Sequence, residues 1–172
     1  MEQFPINELL MTQGMSQIIY NRGIGGFTTQ DMLLCMEEMV FGTEPSRIFI
    51  NIGTNDIGSP DYRLEALMDR YGEIISRIQE RLSRAEINML AYYPVNETEK
   101  LSDDEWLKTA FVTRTNENIL IANQAVEKLA AEKGCRFLNI RVLQTRREDS
   151  KRNIPLRGSI CMPTGTGWCL II

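Results

Sequence analysis

Short apolar runs alternate with longer amphipathic segments over most of the chain. Four runs rich in Ile, Phe, Leu and Tyr cover residues 17–20, 47–52, 87–93 and 136–140. Their short length and their β-branched and aromatic content are typical of strands buried in a sheet. We therefore predict four strands, separated by segments that are long enough to form helices.

Apolar residues recur at helical spacing between these runs. The first stripe consists of Met32, Met36, Met39 and Val40; the second, over about 61–84, of Leu64, Leu67, Met68, Tyr71, Ile74, Ile75, Ile78 and Leu82; and the third of Ile119, Ala122, Val126, Leu129 and Ala130. This spacing predicts three amphipathic helices, each with one face in the core. Thr28 and Asp31 form a capping-box pattern before the first helix. Ser59 and Pro60 are expected to start the second helix, and Gly134 to stop the third.

The alternation of strands and helices predicts the fold class. Consecutive βαβ units join parallel strands through right-handed crossovers and give a doubly wound α/β fold. We expect a three-layer α/β/α sandwich with a parallel sheet over residues 1–140. Residues 141–172 carry six basic and two acidic residues and show no regular apolar spacing. We predict an irregular tail there.

The composition excludes several classes of function. The 172 residues are 43% hydrophobic and 24% charged, and their net charge of −4 does not suit a phosphate-binding face. No apolar stretch approaches the length of a membrane span, and no secretory signal is visible at the start. The four cysteines form no CxxC pair and the chain has no histidine, so no zinc site is expected. We expect a reduced, cytoplasmic protein without a metal, a membrane span or a nucleic-acid partner.

Two loops rich in Gly and Asn follow predicted strands. Residues 21–26 have the sequence NRGIGG, and residues 53–56 have the sequence GTND. The carboxyl ends of parallel strands meet at one edge of a sheet, where ligands bind. Taken singly, the glycines are also compatible with a tight turn, and Asn55 with Asp56 with an Asx turn. A dinucleotide fingerprint is a weak alternative, since the full GxGxxG pattern is lacking.

These loops resemble two sequence blocks of the SGNH hydrolases, also called GDSL-type esterases and lipases. In this resemblance, Gly26 matches the oxyanion glycine of the family and Asn55 its oxyanion asparagine. The supporting positions of the two loops are Asn21, Gly25, Thr54 and Asp56. Residues 93–97 and 114–117, YPVNE and RTNE, resemble the bacterial branch similar to platelet-activating-factor acetylhydrolase. This second resemblance implies that Pro94 and Asn96 lie on the substrate side.

The resemblance covers roughly residues 1–140 and implies both a fold and a reaction. The fold is the flavodoxin-like SGNH hydrolase fold. The reaction is hydrolysis of a carboxylic ester through an acyl-serine intermediate, with Gly and Asn donors at the oxyanion. The family uses no metal or organic cofactor. The partner is expected to be a small-molecule ester (a lipid, an acetylated sugar or an aryl ester), and a homo-oligomer stays open.

Two parts of the family's machinery are missing from the sequence. The chain has no histidine and no Gly-Asp-Ser block. Residues 2–10 resemble the stretch that follows the nucleophile in relatives, so we expect the chain to begin after its first strand and its serine. A shifted reading frame permits the family's terminal histidine segment, with Glu where Asp is usual. We therefore expect a frameshift near Arg141 and loss of the last helix; a genuinely divergent tail is the alternative.

The missing serine and histidine decide the predicted activity. A serine hydroxyl needs a base within hydrogen-bond reach to become a nucleophile. We predict an esterase by descent whose present copy is inactive. The alternatives are a non-catalytic remnant, an α/β module that binds a small ligand or a protein, and, more weakly, a nucleotide-binding flavodoxin-like module.

Overall fold

A mainly parallel sheet with helices packed beside it forms the centre of the protein. The computed structural model describes residues 6–95 and 112–139 and the backbone of Leu170–Ile171. In chain order, its elements are α1 (Ile6–Thr12), α2 (Thr29–Leu34), α3 (Met36–Met39), a 3-10 turn (Phe41–Thr43), β1 (Arg47–Asn51), α4 (Thr54–Ile57), α5 (Leu64–Arg81), β2 (Glu86–Leu90), α6 (Asn116–Glu132), β3 (Arg136–Leu138) and β4 (Leu170–Ile171).

The sheet has the strand order β3-β2-β1-β4. β1 and β2 are parallel, with Arg47 opposite Glu86, and β2 and β3 are also parallel. β4 pairs with the end of β1 in the antiparallel direction, with Leu170 opposite Asn51. The predicted α/β fold class with a parallel sheet is confirmed, and the antiparallel edge strand is a feature that the sequence did not indicate. The rest of the predicted tail, residues 141–169 and 172, lies outside the described residues.

The run 17–20 does not form the predicted strand. The side chain of Asn7 bonds both backbone groups of Ile19: Nδ2 donates to the carbonyl at 2.9 Å, and the N–H donates to Oδ1 at 2.8 Å. A β-rich composition produces a strand only where a neighbouring strand offers a ladder. Here an asparagine side chain takes the place of that ladder. The prediction of a strand before the NRGIGG loop is therefore wrong.

The apolar stripes of the predicted helices are largely buried, as expected. Thr28 and Asp31 form the predicted capping box at the start of α2. The first predicted helix is interrupted at Cys35, which separates α2 from α3. After α6, Gly134 adopts a left-handed φ of +66° and ends the helix as predicted.

The predicted start of the second long helix is wrong. α5 begins at Leu64 with Arg63 as its N-cap, and not at Ser59 and Pro60. The intervening residues form a turn, in which the Tyr62 N–H donates to the Ser59 carbonyl at 3.0 Å. This turn directly follows the short helix α4, which the sequence pattern did not predict. It therefore delays the start of α5 by several residues.

The core lies between the sheet and the helices. α5 packs against both α2 and α6, and α6 packs on β2 and β3. The largest fully buried side chains are Tyr71, Tyr92, Met32, Ile48, Ile50, Ile52, Ile57, Leu67, Ile74, Ile75, Ile78 and Met89. Over the described ranges, no helix is long and apolar enough to cross a membrane.

Candidate functional site

The GTND loop follows directly from β1 and starts α4. Gly53 has a φ of +116°, which side chains other than that of glycine rarely adopt. A Cβ at this position would lie 2.5 Å from the Tyr92 hydroxyl and 2.8 Å from Leu67 Cδ1. The hydroxyl of Tyr92 donates to the Ile52 carbonyl at 2.7 Å, just before the loop. Gly53 therefore lets the chain turn into α4 while Tyr92 packs underneath.

The side chain of Asn55 joins the two predicted oxyanion loops. Its Nδ2 donates to the backbone carbonyl of Phe27 at 2.8 Å. Phe27 is the residue after Gly26, so the structure brings the two loops together although one of them does not follow a strand. Asn55 is half-buried and Gly26 is exposed. Two predicted site residues are thus neighbours at one edge of the sheet.

The NRGIGG loop is shaped by its own backbone. Gly26 has a φ of +87°, and no atom lies within 4 Å of where its Cβ would stand. A glycine is therefore needed at position 26 because of the positive φ, and not because a side chain would lack space. The Gly23 N–H donates to Asn21 Oδ1 at 3.0 Å in an Asx turn. Asn21 supports the loop, and Gly25 lies exposed beside Gly26.

Asp56 faces the core of the protein and ties α4 to α2. It accepts the Thr29 N–H on Oδ2 at 2.9 Å and the Thr29 hydroxyl on Oδ1. Arg70 on α5 donates from Nη2 to Asp56 Oδ1 at 3.0 Å and from Nε to Thr29 Oγ1 at 2.7 Å. The Asp56 side chain is only 4% exposed, and that of Arg70 is 32% exposed. We call Thr29, Asp56 and Arg70 the clamp.

Arg114 contacts the oxygen end of Asn55. Its Nη2 donates to Asn55 Oδ1 at 3.2 Å, and its side chain is packed against Gly58. Burial lowers the pKa of the Arg114 guanidinium, which nevertheless stays charged because its ordinary value is so high. An arginine at Oδ1 and a carbonyl at Nδ2 define one orientation of the Asn55 amide. The N–H groups of Asn55 consequently point toward the side of Phe27.

The loop after β2 is fastened to α6. The side chain of Asn116 bonds both backbone groups of Val95, at 2.9 and 3.0 Å. Asn123 bonds both backbone groups of Tyr92 in the same way. Pro94 is exposed in this loop, and the predicted substrate-side residue Asn96 lies outside the described residues. Thr54 is half-buried at the start of α4.

Nothing in the sequence pattern marks Thr29, Arg70 or Arg114 as site residues. Thr29 follows a threonine that is already explained as a cap, and Arg70 lies beside the apolar stripe of α5. Arg114 belongs to the RTNE block, whose resemblance gave no role to the side chain. The only signal was a charged residue next to a buried position, such as Arg70 before Tyr71, and that signal is common on helices.

The arrangement supplies donors but no base of the kind that the family uses. The 172 residues contain no imidazole. Ser76, within α5, accepts from Lys133 Nζ at 2.7 Å and donates to the Gly72 carbonyl. Neither of two cavities in the described part of the chain, of about 470 and 400 Å³, has Gly26 or Asn55 in its lining. No metal-binding group of three or more acidic or sulfur side chains is present in the described ranges.

Comparisons with known proteins identify the family. The model of the GDSL-like lipase/acylhydrolase family matches residues 7–158. A solved structure from Streptococcus pneumoniae, described as that of a platelet activating factor, is 32% identical with a TM-score of 0.63; the match covers 77% of this chain and 59% of that one. No curated protein matches the sequence.

Two further solved structures share the fold at lower identity. The acetyl xylan esterase AlAXEase is 22% identical, with a TM-score of 0.63 and with 88% of this chain and 77% of that chain covered. The esterase EstA from Pseudoalteromonas is 13% identical, with a TM-score of 0.61 and with 86% and 71% covered. The chain spans little more than half the length of the pneumococcal structure. The family model matches most of this chain, residues 7–158, and the chain therefore belongs to the GDSL-like lipase/acylhydrolase family.

Proposed function

We propose that these 172 residues form an esterase by descent that recognises ester carbonyls and does not hydrolyse them. The observation that carries the proposal is the 2.8 Å hydrogen bond from Asn55 Nδ2 to the Phe27 carbonyl. It holds an amide donor beside the backbone of Gly26, which is the pairing of donors that an oxyanion site needs. Gly26 and Asn55 are the proposed ester-carbonyl donors, and Asn21, Gly25, Thr54 and Asp56 support them.

The expected lack of turnover follows from the missing base. Attack by a serine requires a neighbouring group to take its proton, and the family uses histidine for that step. The chain contains none. Oxyanion donors can stabilise a developing charge only after a nucleophile has attacked. Binding of an ester without a burst of product is therefore the expected behaviour of the chain.

The ligand is proposed to be a small carboxylic ester, with lipid, acetylated sugar and aryl esters as the classes that fit the family. Its carbonyl oxygen would accept hydrogen bonds from the Gly26 N–H and the Asn55 amide. Pro94 and Asn96 are proposed to line the side of the site where the alcohol part lies. No cofactor enters this proposal.

The proposal is tested with p-nitrophenyl acetate. We expect no p-nitrophenolate burst and no sensitivity to a serine-directed phosphonate. Titration of the ester into ¹⁵N-labelled protein should shift the signals of residues 25–27 and the Asn55 amide. Asn55→Asp keeps the shape and the acceptor toward Arg114 but removes the amide donor together with its bond to the Phe27 carbonyl, so binding should weaken about tenfold or more.

Gln124→Ala, on the exposed face of α6, is the matched control and should bind like the unaltered chain. A burst that the phosphonate blocks would overturn the lack of turnover. Binding that Asn55→Asp leaves unchanged, or the absence of any binding at millimolar ester, would overturn the recognition of an ester carbonyl by Asn55.

A further inference from the structure

Arg114 is a charged side chain that the fold buries almost completely. It is only 3% exposed, and its Nη2 donates to Asn55 Oδ1 at 3.2 Å. Burial of a guanidinium carries a desolvation cost, and a well-packed apolar side chain of similar volume often leaves stability unchanged or higher. Packing alone therefore gives no reason for an arginine at this position. Its contact with the oxygen of Asn55 gives one.

The backbone that carries Arg114 is fixed on both sides. The Thr113 hydroxyl donates to the Ser59 carbonyl at 3.1 Å, which ties the segment to the turn after α4. Thr115 is the N-cap of α6, and its hydroxyl accepts the Asn118 N–H at 3.2 Å. Arg114 therefore reaches the GTND loop from a fixed position at the start of α6.

Gly58, the C-cap of α4, leaves the space that the guanidinium fills. A Cβ at position 58 would lie 2.9 Å from both Cζ and Nε of Arg114, and closer still to Nη2. The φ of Gly58 is −85°, which residues other than glycine also adopt. A glycine is therefore needed at position 58 because a side chain would displace Arg114, and not because of the backbone conformation.

A cation at the oxygen of an amide strengthens the nitrogen of that amide as a hydrogen-bond donor. The positive charge draws electron density from the nitrogen toward the oxygen, and linked hydrogen bonds polarise one another in the same direction. The Asn55 NH₂ group carries two N–H donors, one of which bonds the Phe27 carbonyl at 2.8 Å. Polarisation by Arg114 acts on both donors, and hence on any carbonyl oxygen that the amide holds.

We propose that Arg114 is the positioning residue of the ester site: through Oδ1 it orients and polarises the Asn55 amide, and so sets the affinity for a carbonyl oxygen. This inference rests on the proposed function, in which the Asn55 amide donates to the ester. It adds that the strength of the donor is controlled from the other side of Asn55, by a residue that acts on the ligand only through the amide.

The test uses the NMR signals of the Asn55 NH₂ group in the ligand-free protein, and titration with p-nitrophenyl acetate. Arg114→Met keeps an unbranched apolar stem without the charge. It should move the NH₂ proton signals upfield and weaken ester binding roughly threefold to tenfold, the range of one hydrogen bond. Arg114→Lys keeps the charge and should recover part of both effects. Gly58→Ala should displace the guanidinium and act like Arg114→Met, although it alters neither Arg114 nor Asn55.

Arg77→Met and Gly72→Ala are the matched controls for the two kinds of substitution. The Arg77 side chain is 49% exposed in its pair with Glu73, so its removal changes the net charge by the same amount without touching the site. A Cβ at Gly72 would have its nearest contact at 3.6 Å, with Leu129 Cδ1, which is an ordinary distance. Both controls should leave the Asn55 signals and the ester affinity unchanged.

The role of Arg114 and the proposed function fail in different ways. Asn55 signals that stay in place in Arg114→Met and Gly58→Ala would refute the role of Arg114, even if the free energy of unfolding falls. Ester affinity that both variants leave unchanged would refute it as well. Equal losses in Arg114→Lys and Arg114→Met would show a steric effect and overturn polarisation. Signals that move as expected in a protein that binds no ester would support polarisation by Arg114 and overturn the proposed function.

Discussion

Replacement of Asp56 by Asn tests how much of the site's geometry depends on the clamp. The carboxylate receives three donors: the Thr29 hydroxyl and Arg70 Nη2 on Oδ1, and the Thr29 N–H on Oδ2. An asparagine keeps the shape but has one oxygen and one NH₂ group. In its better orientation the NH₂ group faces the Thr29 N–H, and one buried backbone donor loses its acceptor.

The expected loss of stability follows from these contacts. An unsatisfied buried donor costs about 1–3 kcal/mol. The ionic part of the pair with Arg70 adds about 1 kcal/mol, discounted because the Arg70 side chain is 32% exposed. We therefore expect Asp56→Asn to lower the free energy of unfolding by about 2–4 kcal/mol. That is a large fraction of the total for a domain of this size.

Urea denaturation followed by far-UV circular dichroism measures this loss at an unchanged m-value. Glu73→Gln is the matched control, because it makes the same acid-to-amide change in the exposed pair with Arg77. That control should stay within about 0.5 kcal/mol of the unaltered protein. If Asp56→Asn is as mild as Glu73→Gln, the clamp does not stabilise the contact of α4 with α2 and our reasoning is wrong.

Three further predictions concern the backbone, the pH and a helix end. Gly53→Ala should lower the free energy of unfolding in urea by about 3 kcal/mol or more, because backbone strain at positive φ adds to the overlap of the new Cβ with Tyr92. Gly134→Ala is the control: its Cβ would have no atom within 4 Å, so only the backbone strain remains and the loss should be about 1–2 kcal/mol. Burial raises the pKa of Tyr92 well above its usual value, so the Tyr92 phenol ionises at a lower pH in the unfolded chain than in the folded protein, and stability is lost as pH rises through about 10. A scan of Tm from pH 8 to 11 should therefore be flatter for Tyr92→Phe than for the unaltered protein. Arg63→Ser should stabilise α5 by about 1 kcal/mol in the same urea assay, because the present N-cap makes no side-chain bond, and no gain would count against that reason.

The helices were the most predictable part of the fold because their signals are local. The stripe of α5 and the capping box of Thr28 and Asp31 can be recognised within a few residues of sequence. The start of α5 could not be predicted, since Ser59 and Pro60 satisfy the rules for a helix start but belong to a turn after α4. A local rule cannot distinguish these outcomes when the next residues fit both.

The segment 17–20 shows the limit for strands. Its composition is that of a strand, yet a strand exists only with a partner, and the partner is not encoded nearby. In the structure, Asn7 from another part of the chain bonds Ile19 and replaces the ladder. The antiparallel β4, from the far end of the sequence, shows the same dependence. Sheet pairing is a non-local property, and no pattern within one run determines it.

Some residues of the candidate site could be predicted from sequence and others could not, and the difference affects whether the GTND block is interpreted as structural or as ligand-binding. The glycines and Asn55 were found from sequence because turns and amide donors demand particular residue types. Asp56 was found as well, but its buried bonds to Thr29 and Arg70 give it a role in folding. That role cannot be predicted from one sequence block, because the three residues lie far apart in the chain. Gly53 and Asp56 stabilise the fold, so these two positions of the GTND block have a structural role with or without catalysis. Asn55 separates the two roles: if it only joins the two loops through Phe27, Asn55→Asp should lower stability and leave ester affinity unchanged, whereas an ester-binding Asn55 should also lose affinity in the folded protein.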